Sequence, residues 1–314
     1  MLSFGKKMII SLSVVTAIAL SSSADSQITN EKQELTKAKS VLEAYANVAL
    51  VSYSEALNSA KSLKLAIDKF AKNPTQENLN SAKQAWLISR ESYGQTEALR
   101  LSKGPIDAED GWVAEAYGAL EGQINAWPLD ENMIDYTIDE NGKKTSGNII
   151  DTVGVFNPGG EESKEVDVTK ITAEAITALN ENGGEANVAT GYHAIEFLLW
   201  GQDQDYSNFL KDKITKGPMT AGLRSLKDFT SDKNASRRLA YLSASAEKLV
   251  ADLELITSAW TKEVSGTNGL YQAALKGELT GDNASKNIDS TEALKQIISG
   301  LGVFVKSELA NERI

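Results

Sequence analysis

The sequence predicts an all-α protein, two helical-bundle halves packed together with a long irregular excursion between them. Three observations carry this. Apolar residues recur every three or four positions over long stretches, the spacing that builds one face of a helix. The stretches end at strong breakers: Asn73-Pro74, Lys103-Gly104-Pro105, Trp127-Pro128, Gly183-Gly184 and Gly266 to Gly269. And one segment, Asp130 to Glu165, is rich instead in Asn, Asp, Gly and short β-branched runs.

Taken in order, the chain starts with Lys6 and Lys7 ahead of an apolar run from Met8 to Leu20, then Ser21-Ser22-Ser23-Ala24. A basic start, an apolar middle and a small-residue exit make a secretory signal peptide, expected over residues 1–24. The run is too short for a bilayer span, and no later stretch is apolar enough for one. A first helix is expected from Glu31 to Lys72. Thr75 is a good N-cap for a second, running to about Ser102. A third covers roughly Ala108 to Ala126. The excursion comes next, with β-branched runs such as Tyr136-Thr137-Ile138 and Asn148-Ile149-Ile150 and a turn signal at Asn141-Gly142, and a small hairpin is expected within it. Loops of this length are often binding segments. Helical patterning resumes over about Thr169 to Asn182 and again after Gly184. Asn234 or Ser236 opens a long helix to about Val264, striped by Leu239, Leu242, Ala246, Leu249, Leu253, Ile256 and Trp260. Short and final helices are expected over Leu270–Lys276 and Thr291 to about Glu312. The halves are then residues 30–165 and 166–314.

Composition narrows the function classes. There is no cysteine, so burial alone must hold an exported chain together. The net charge is −11, and loss of Lys6 and Lys7 with the leader would make it −13. An acidic surface argues against nucleic acid and anionic lipid as partners, and suits cations.

Chemistry concentrates in two stretches. Gly191 to Asp203 reads GYHAIEFLLWGQD and holds His193, the single histidine of the chain, with Glu196 three positions on. A helix puts His193, Glu196, Phe197 and Trp200 on one face and Ala194, Ile195, Leu198 and Leu199 on the other. Such a helix is apolar nearly all round, so the imidazole and the carboxylate are expected to be buried together. One reading is a satisfied core pair, the other a functional site. The helix after Thr75 carries the second stretch, where Trp86, Arg90, Tyr93, Glu97 and Arg100 share a face. Two arginines flanking one glutamate beside aromatics imply a buried Arg–Glu–Arg network. It either fixes helix packing or forms an anion-binding or ligand-orienting shell.

A single histidine restricts the chemistry open to the chain. His-Glu-x-x-His zinc sites need two, and the inverted form fails because position 197 is Phe. A catalytic zinc takes three protein ligands, so two would have to be carboxylates from Glu97, Asp107, Asp110, Glu115, Glu121 or Asp203. One imidazole among carboxylates suits iron or manganese better. No Gly-x-Ser-x-Gly elbow or phosphate-cradling Gly loop is present.

The chain resembles the imelysin family, exported bacterial proteins once described as insulin-cleaving membrane peptidases. Gly191, His193 and Glu196 match the family's Gly-x-His-x-x-Glu signature. WLISRESYGQTEALR (Trp86 to Arg100), KGPID (Lys103 to Asp107) and NAWPLDENMIDY (Asn125 to Tyr136) also resemble it, in the same order. The likeness runs from about residue 35 to the C-terminus. It implies an all-helical fold of two bundle-like halves with a shared site between them. It also implies a binding or accessory role in bacterial iron uptake, at the periplasm or outer membrane. Iron or another divalent metal would be the cofactor, and other uptake components the partners. His193 and Glu196 would be metal donors, with Glu97 as a further one. Arg90, Tyr93, Glu97, Arg100, Asp107, Gly191 and Trp200 would line the binding site. The alternatives are the metallopeptidase of the family's older name and a helical module for an organic ligand or partner protein. With one histidine, peptidase activity is expected to be absent.

Overall fold

The structure, a computed structural model, describes residues 6–139, 141–202, 222 and 224–310, with side chains from residue 33 onward except 34. Met1 to Gly5 of the expected leader, Asp203, and Glu312 at the expected end of the last helix lie outside the described residues. The described chain is 61% helical, with eleven α-helices and one two-stranded sheet. No helix among the described residues is long and apolar enough to cross a membrane.

Helix α1, Lys6–Lys72, is the axis of the molecule. Its buried side chains are Leu42, Ala46, Ala49, Tyr53, Ala56, Ala60, Leu63, Ile67 and Phe70, each at most 1% exposed. They recur at alternating steps of four and three, a heptad seam of the coiled-coil kind. Four of the nine are alanine, which lets neighbouring helices approach closely. On this seam lie α2 (Gln76–Gly94) from the same half and the long C-terminal-half helix α9 (Ala235–Ser258). Ser59 donates to Ser89 at 3.4 Å, and Thr257 to the Tyr53 carbonyl at 3.2 Å. One hydrophobic core runs continuously from Leu42 to Ile297 and draws on both halves. The stripe expected on α9 is in it, from Leu242 through Trp260, with Leu239 packed at its edge.

Local chemistry sets the ends. Thr75 caps α2 by accepting from the Asn78 amide at 3.2 Å. The α-helix does not reach Ser102: it stops at Gly94 and tightens into a 3₁₀ turn, Gln95–Leu99. Beyond it Leu101 and Lys103 adopt left-handed φ of 63° and 56°, which no helix can continue through. The third expected helix is two, α3 (Gly111–Tyr117) and α4 (Glu121–Ile124), because Gly118 turns left-handed at φ 81°.

The excursion holds α5 (Glu131–Ile134) and a small turn through Gly142, closed by an Ile138–Lys144 bridge. The two-stranded sheet lies further on, β1 (Val155–Phe156) antiparallel to β2 (Val166–Asp167); β1 falls inside the expected stretch and β2 just past its limit at Glu165. Asn148-Ile149-Ile150 is a buried turn, not a strand. Arg237 of α9 fastens this region by donating to the carbonyls of Ile149, Ile150, Val168 and Thr169 at 2.8–3.1 Å. Then come α6 (Ala173–Leu179), α7 (Gly191–Trp200) and α8 (Lys227–Thr230). After α9 stand α10 (Leu270–Leu275) and α11 (Ser290–Val303). Asp289 caps α11, and Phe304–Leu309 extends it as π-helix.

Candidate functional site

Helix α7 starts where only glycine fits. Gly191 has φ 81°, and a Cβ there would lie 2.3 Å from the Ile124 carbonyl of α4. Thr190 holds the entry by donating to the Gln123 carbonyl at 2.8 Å. Ala194, Ile195, Leu198 and Leu199 are fully buried, and Tyr192 with them.

His193 and Glu196 form a pair, Nδ1 to Oε2 at 3.1 Å. They are not buried together as expected: the side chains are 18% and 42% exposed. The helix has a narrow polar ridge at i and i+3, and leaving a carboxylate at the rim avoids the cost of desolvating it. Trp127, 69% exposed, lies over the imidazole with ring centroids 4.9 Å apart at 60°. With Nδ1 engaged by the carboxylate, Nε2 is the ring nitrogen left for a ligand.

Helix α2 packs directly on α7, so elements more than ninety residues apart in sequence meet here. The residue that faces α2 is Tyr192, one step from His193. Its hydroxyl lies 2.9 Å from the Ser89 hydroxyl, its carbonyl accepts from Trp86 Nε1 at 2.9 Å, and its ring packs on Tyr93 at 5.1 Å. Burial pushes its hydroxyl up to about 12, against the pull of the Ser89 hydrogen bond. Arg90 lies over both rings, 5.6 Å from Tyr93 and 5.9 Å from Tyr192. Trp200 closes the rim, edge-on to Trp86 at 5.3 Å and with Lys83 at 5.2 Å over its ring. Sequence reasoning passed over Tyr192. Its signal was present: 100° from His193 on the wheel, it is the one aromatic with a polar tip on the buried side.

The Arg–Glu–Arg set is divided. Arg90 donates to Glu97 at 3.0 Å, whereas Arg100 pairs with Glu121 of α4 at 3.2 Å. The cause is the 3₁₀ turn. A residue placed at 3.6 per turn by α-helical counting is displaced once the repeat is 3.0, and Arg100 itself is extended. Glu97 is buried at 1% exposure, with Arg90 more open at its side. The Tyr93 hydroxyl and Arg100 Nε are buried without hydrogen-bond partners among the described residues. Burial drives the Tyr93 hydroxyl far above its ordinary value, and the Glu121 carboxylate adds to this.

Asp107 closes the Lys103-Gly104-Pro105 turn by accepting from the amides of Leu101 and Gly104. Burial raises its carboxyl, while the Leu101 amide works against that. Nothing here directs it toward the seam. Among the described residues no group of three or more His, Asp or Glu side chains stands close enough to hold a metal ion. His193, Glu196 and Glu97 therefore do not converge into one donor set. A catalytic zinc held by three protein ligands does not fit these residues.

Fold and site together define an all-α protein with an aromatic-walled polar seam between helices α2 and α7. The chain belongs to the imelysin family: the family model, described as imelysin and peptidase M75, matches residues 49–314. Iron-regulated protein A of Synechococcus elongatus is 29% identical over 83 residues, which is 26% of this chain and 20% of that one. A solved structure described as an iron-regulated protein A precursor, from Parabacteroides distasonis, is 21% identical with a TM-score of 0.48. That match covers 83% of this chain and 55% of the other, so the chain spans less than two thirds of either relative.

Proposed function

We propose that this protein is an exported binding or accessory component of bacterial iron uptake, working at the periplasm or outer membrane through the α2–α7 seam. The observation that carries the reading is the His193–Glu196 pair on the open rim, with one ring nitrogen free and Trp127 beside it. The carboxylate orients the imidazole and leaves Nε2 facing outward, the usual support for a histidine that binds metal. One nitrogen cannot hold iron alone. Iron bound here keeps the rest of its shell as water or as a small chelating molecule, and Trp127 offers that molecule a flat apolar face. The name of the Synechococcus elongatus relative, iron-regulated protein A, supports the iron assignment.

Isothermal titration of ferrous and ferric iron into untagged protein tests this. Saturable binding that weakens at least tenfold in His193→Ala is the expected result, roughly 1.4 kcal/mol. Equal binding by wild type and variant would remove the site. The exposed Trp127 also favours a second reading, an organic ligand without metal. It predicts quenching of Trp127 fluorescence by that ligand after iron has been stripped with a chelator.

A further inference from the structure

Trp127 and His193 meet across a joint that one buried side chain fastens. Asn180 directly follows α6, is 7% exposed, and has extended backbone, φ −66° and ψ 124°. Its side-chain carbonyl accepts from the Ala189 amide at 2.8 Å and from the Thr190 amide at 3.2 Å, just ahead of α7. Its side-chain NH2 donates to the Gly122 carbonyl of α4 at 2.9 Å. These partners fix which way the amide points, since backbone N–H groups only donate and a carbonyl only accepts. One planar group thus ties together the end of α6, the body of α4 and the entry to α7.

The rim hangs on this tie. Ile124 ends α4 and lies against Gly191, and Trp127 follows three residues later. His193 stands three residues past Thr190. Trp127 is largely exposed, so packing around its own ring does little to place it, and the position of α4 decides where it stands. Two other bonds hold parts of the joint. The Thr190 hydroxyl reaches the Gln123 carbonyl of α4, and the Tyr241 hydroxyl of α9 donates to the Ala189 carbonyl at 2.8 Å. Neither of them reaches α6. Ala189 and Thr190 are at most 1% exposed, so an amide that lost Asn180 would have no water to turn to and the segment would have to shift.

We infer that Asn180 is a positioning residue for the rim: it sets α4 against the start of α7 and so holds the Trp127 ring over the His193 imidazole. This rests on the reading of the rim as the binding site, where a fixed spacing between ring nitrogen and apolar face spares a ligand the cost of ordering them. His193 is the single histidine, so nuclear magnetic resonance reads its ring protons without overlap. Trp127→Ala defines the ring-current shift that the indole imposes on them. Asn180→Asp keeps an acceptor for both amides but turns an oxygen toward the Gly122 carbonyl. It should abolish most of that shift in a protein still folded by far-UV circular dichroism. A pH series separates ring position from ring protonation. A contact that merely stabilises would leave the shift of the folded variant unchanged, and that result overturns the inference. So does a shift that answers to Thr190→Val but not to Asn180→Asp. Should Asn180→Asp fail to fold, hydrogen exchange in the wild type decides. The Ala189 and Thr190 amides should be protected like those inside α7, and rapid exchange of both overturns the inference. These measurements need no metal. A shift that moves as expected, in a protein whose wild type takes up no iron, upholds the positioning role and removes the iron reading alone.

Discussion

Replacing Asp135 by alanine should damage this protein more than any other single carboxylate change. Asp135 is 1% exposed. It follows α5 in the N-terminal half and meets two arginines from the C-terminal half. Arg238 grips it with two nitrogens at 2.6 and 3.0 Å, and Arg224 approaches at 2.8 Å. Both arginines are themselves buried, at 1% and 7% exposure. Removal strands two guanidinium groups in a poorly solvated region. Breaking one buried pair costs about 3–5 kcal/mol. Arg238 keeps Asp232 and the Asp228 carbonyl, so the lower half of that range, about 3–4 kcal/mol, is expected. Against a total of about 5–15 kcal/mol this is a large fraction. Asp135→Asn keeps one acceptor oxygen and should cost about 2 kcal/mol. Lys233→Ala is the contrast. Its side chain is 83% exposed and 3.7 Å from Asp151, so less than about 0.5 kcal/mol should be lost. Urea titration followed by circular dichroism reads all three. A cost below about 1 kcal/mol for Asp135→Ala would refute the argument that this carboxylate holds the two halves together.

Three further outcomes are expected. Tyr93→Phe removes a buried hydroxyl that lacks a partner among the described residues, so stability should stay level or rise by up to about 1 kcal/mol; a loss of that size would mean the hydroxyl binds water or ligand. Ala56→Leu overpacks the α1 seam, where Ala56 is fully buried, and should lower the urea midpoint by an amount worth about 1–3 kcal/mol. Peptide hydrolysis should be undetectable with purified protein, since no three-donor set stands at His193 among the described residues; chelator-sensitive cleavage that vanishes in Glu196→Gln would contradict this.

The all-α class was legible because the α1 seam, the α9 stripe and the breakers between helices are local patterns. Thr75 as a cap was equally legible, since capping needs only its own side chain and an amide three residues on. What failed was register across irregular backbone. Nothing in Gln95 to Leu99 announces a 3₁₀ turn, so Glu97 and Arg100 were assigned one partner set and have two. Arg237 and Arg238 hid in a helix read only for its apolar stripe. Their roles depend on carbonyls and a carboxylate about 70 to 100 residues away, which no single-sequence periodicity carries. The rim position of His193 and Glu196 was missed for the same reason. Apolar count predicts burial of a helix, not which narrow ridge meets solvent.

Anomalous diffraction at the iron edge, from crystals of the untagged protein grown with iron, tests the central claim most directly. The account predicts a peak within about 2.0–2.3 Å of His193 Nε2, on the Trp127 side of the α2–α7 seam and absent in His193→Ala. Iron density elsewhere in the molecule, with His193 Nε2 free in the same crystal, would contradict it.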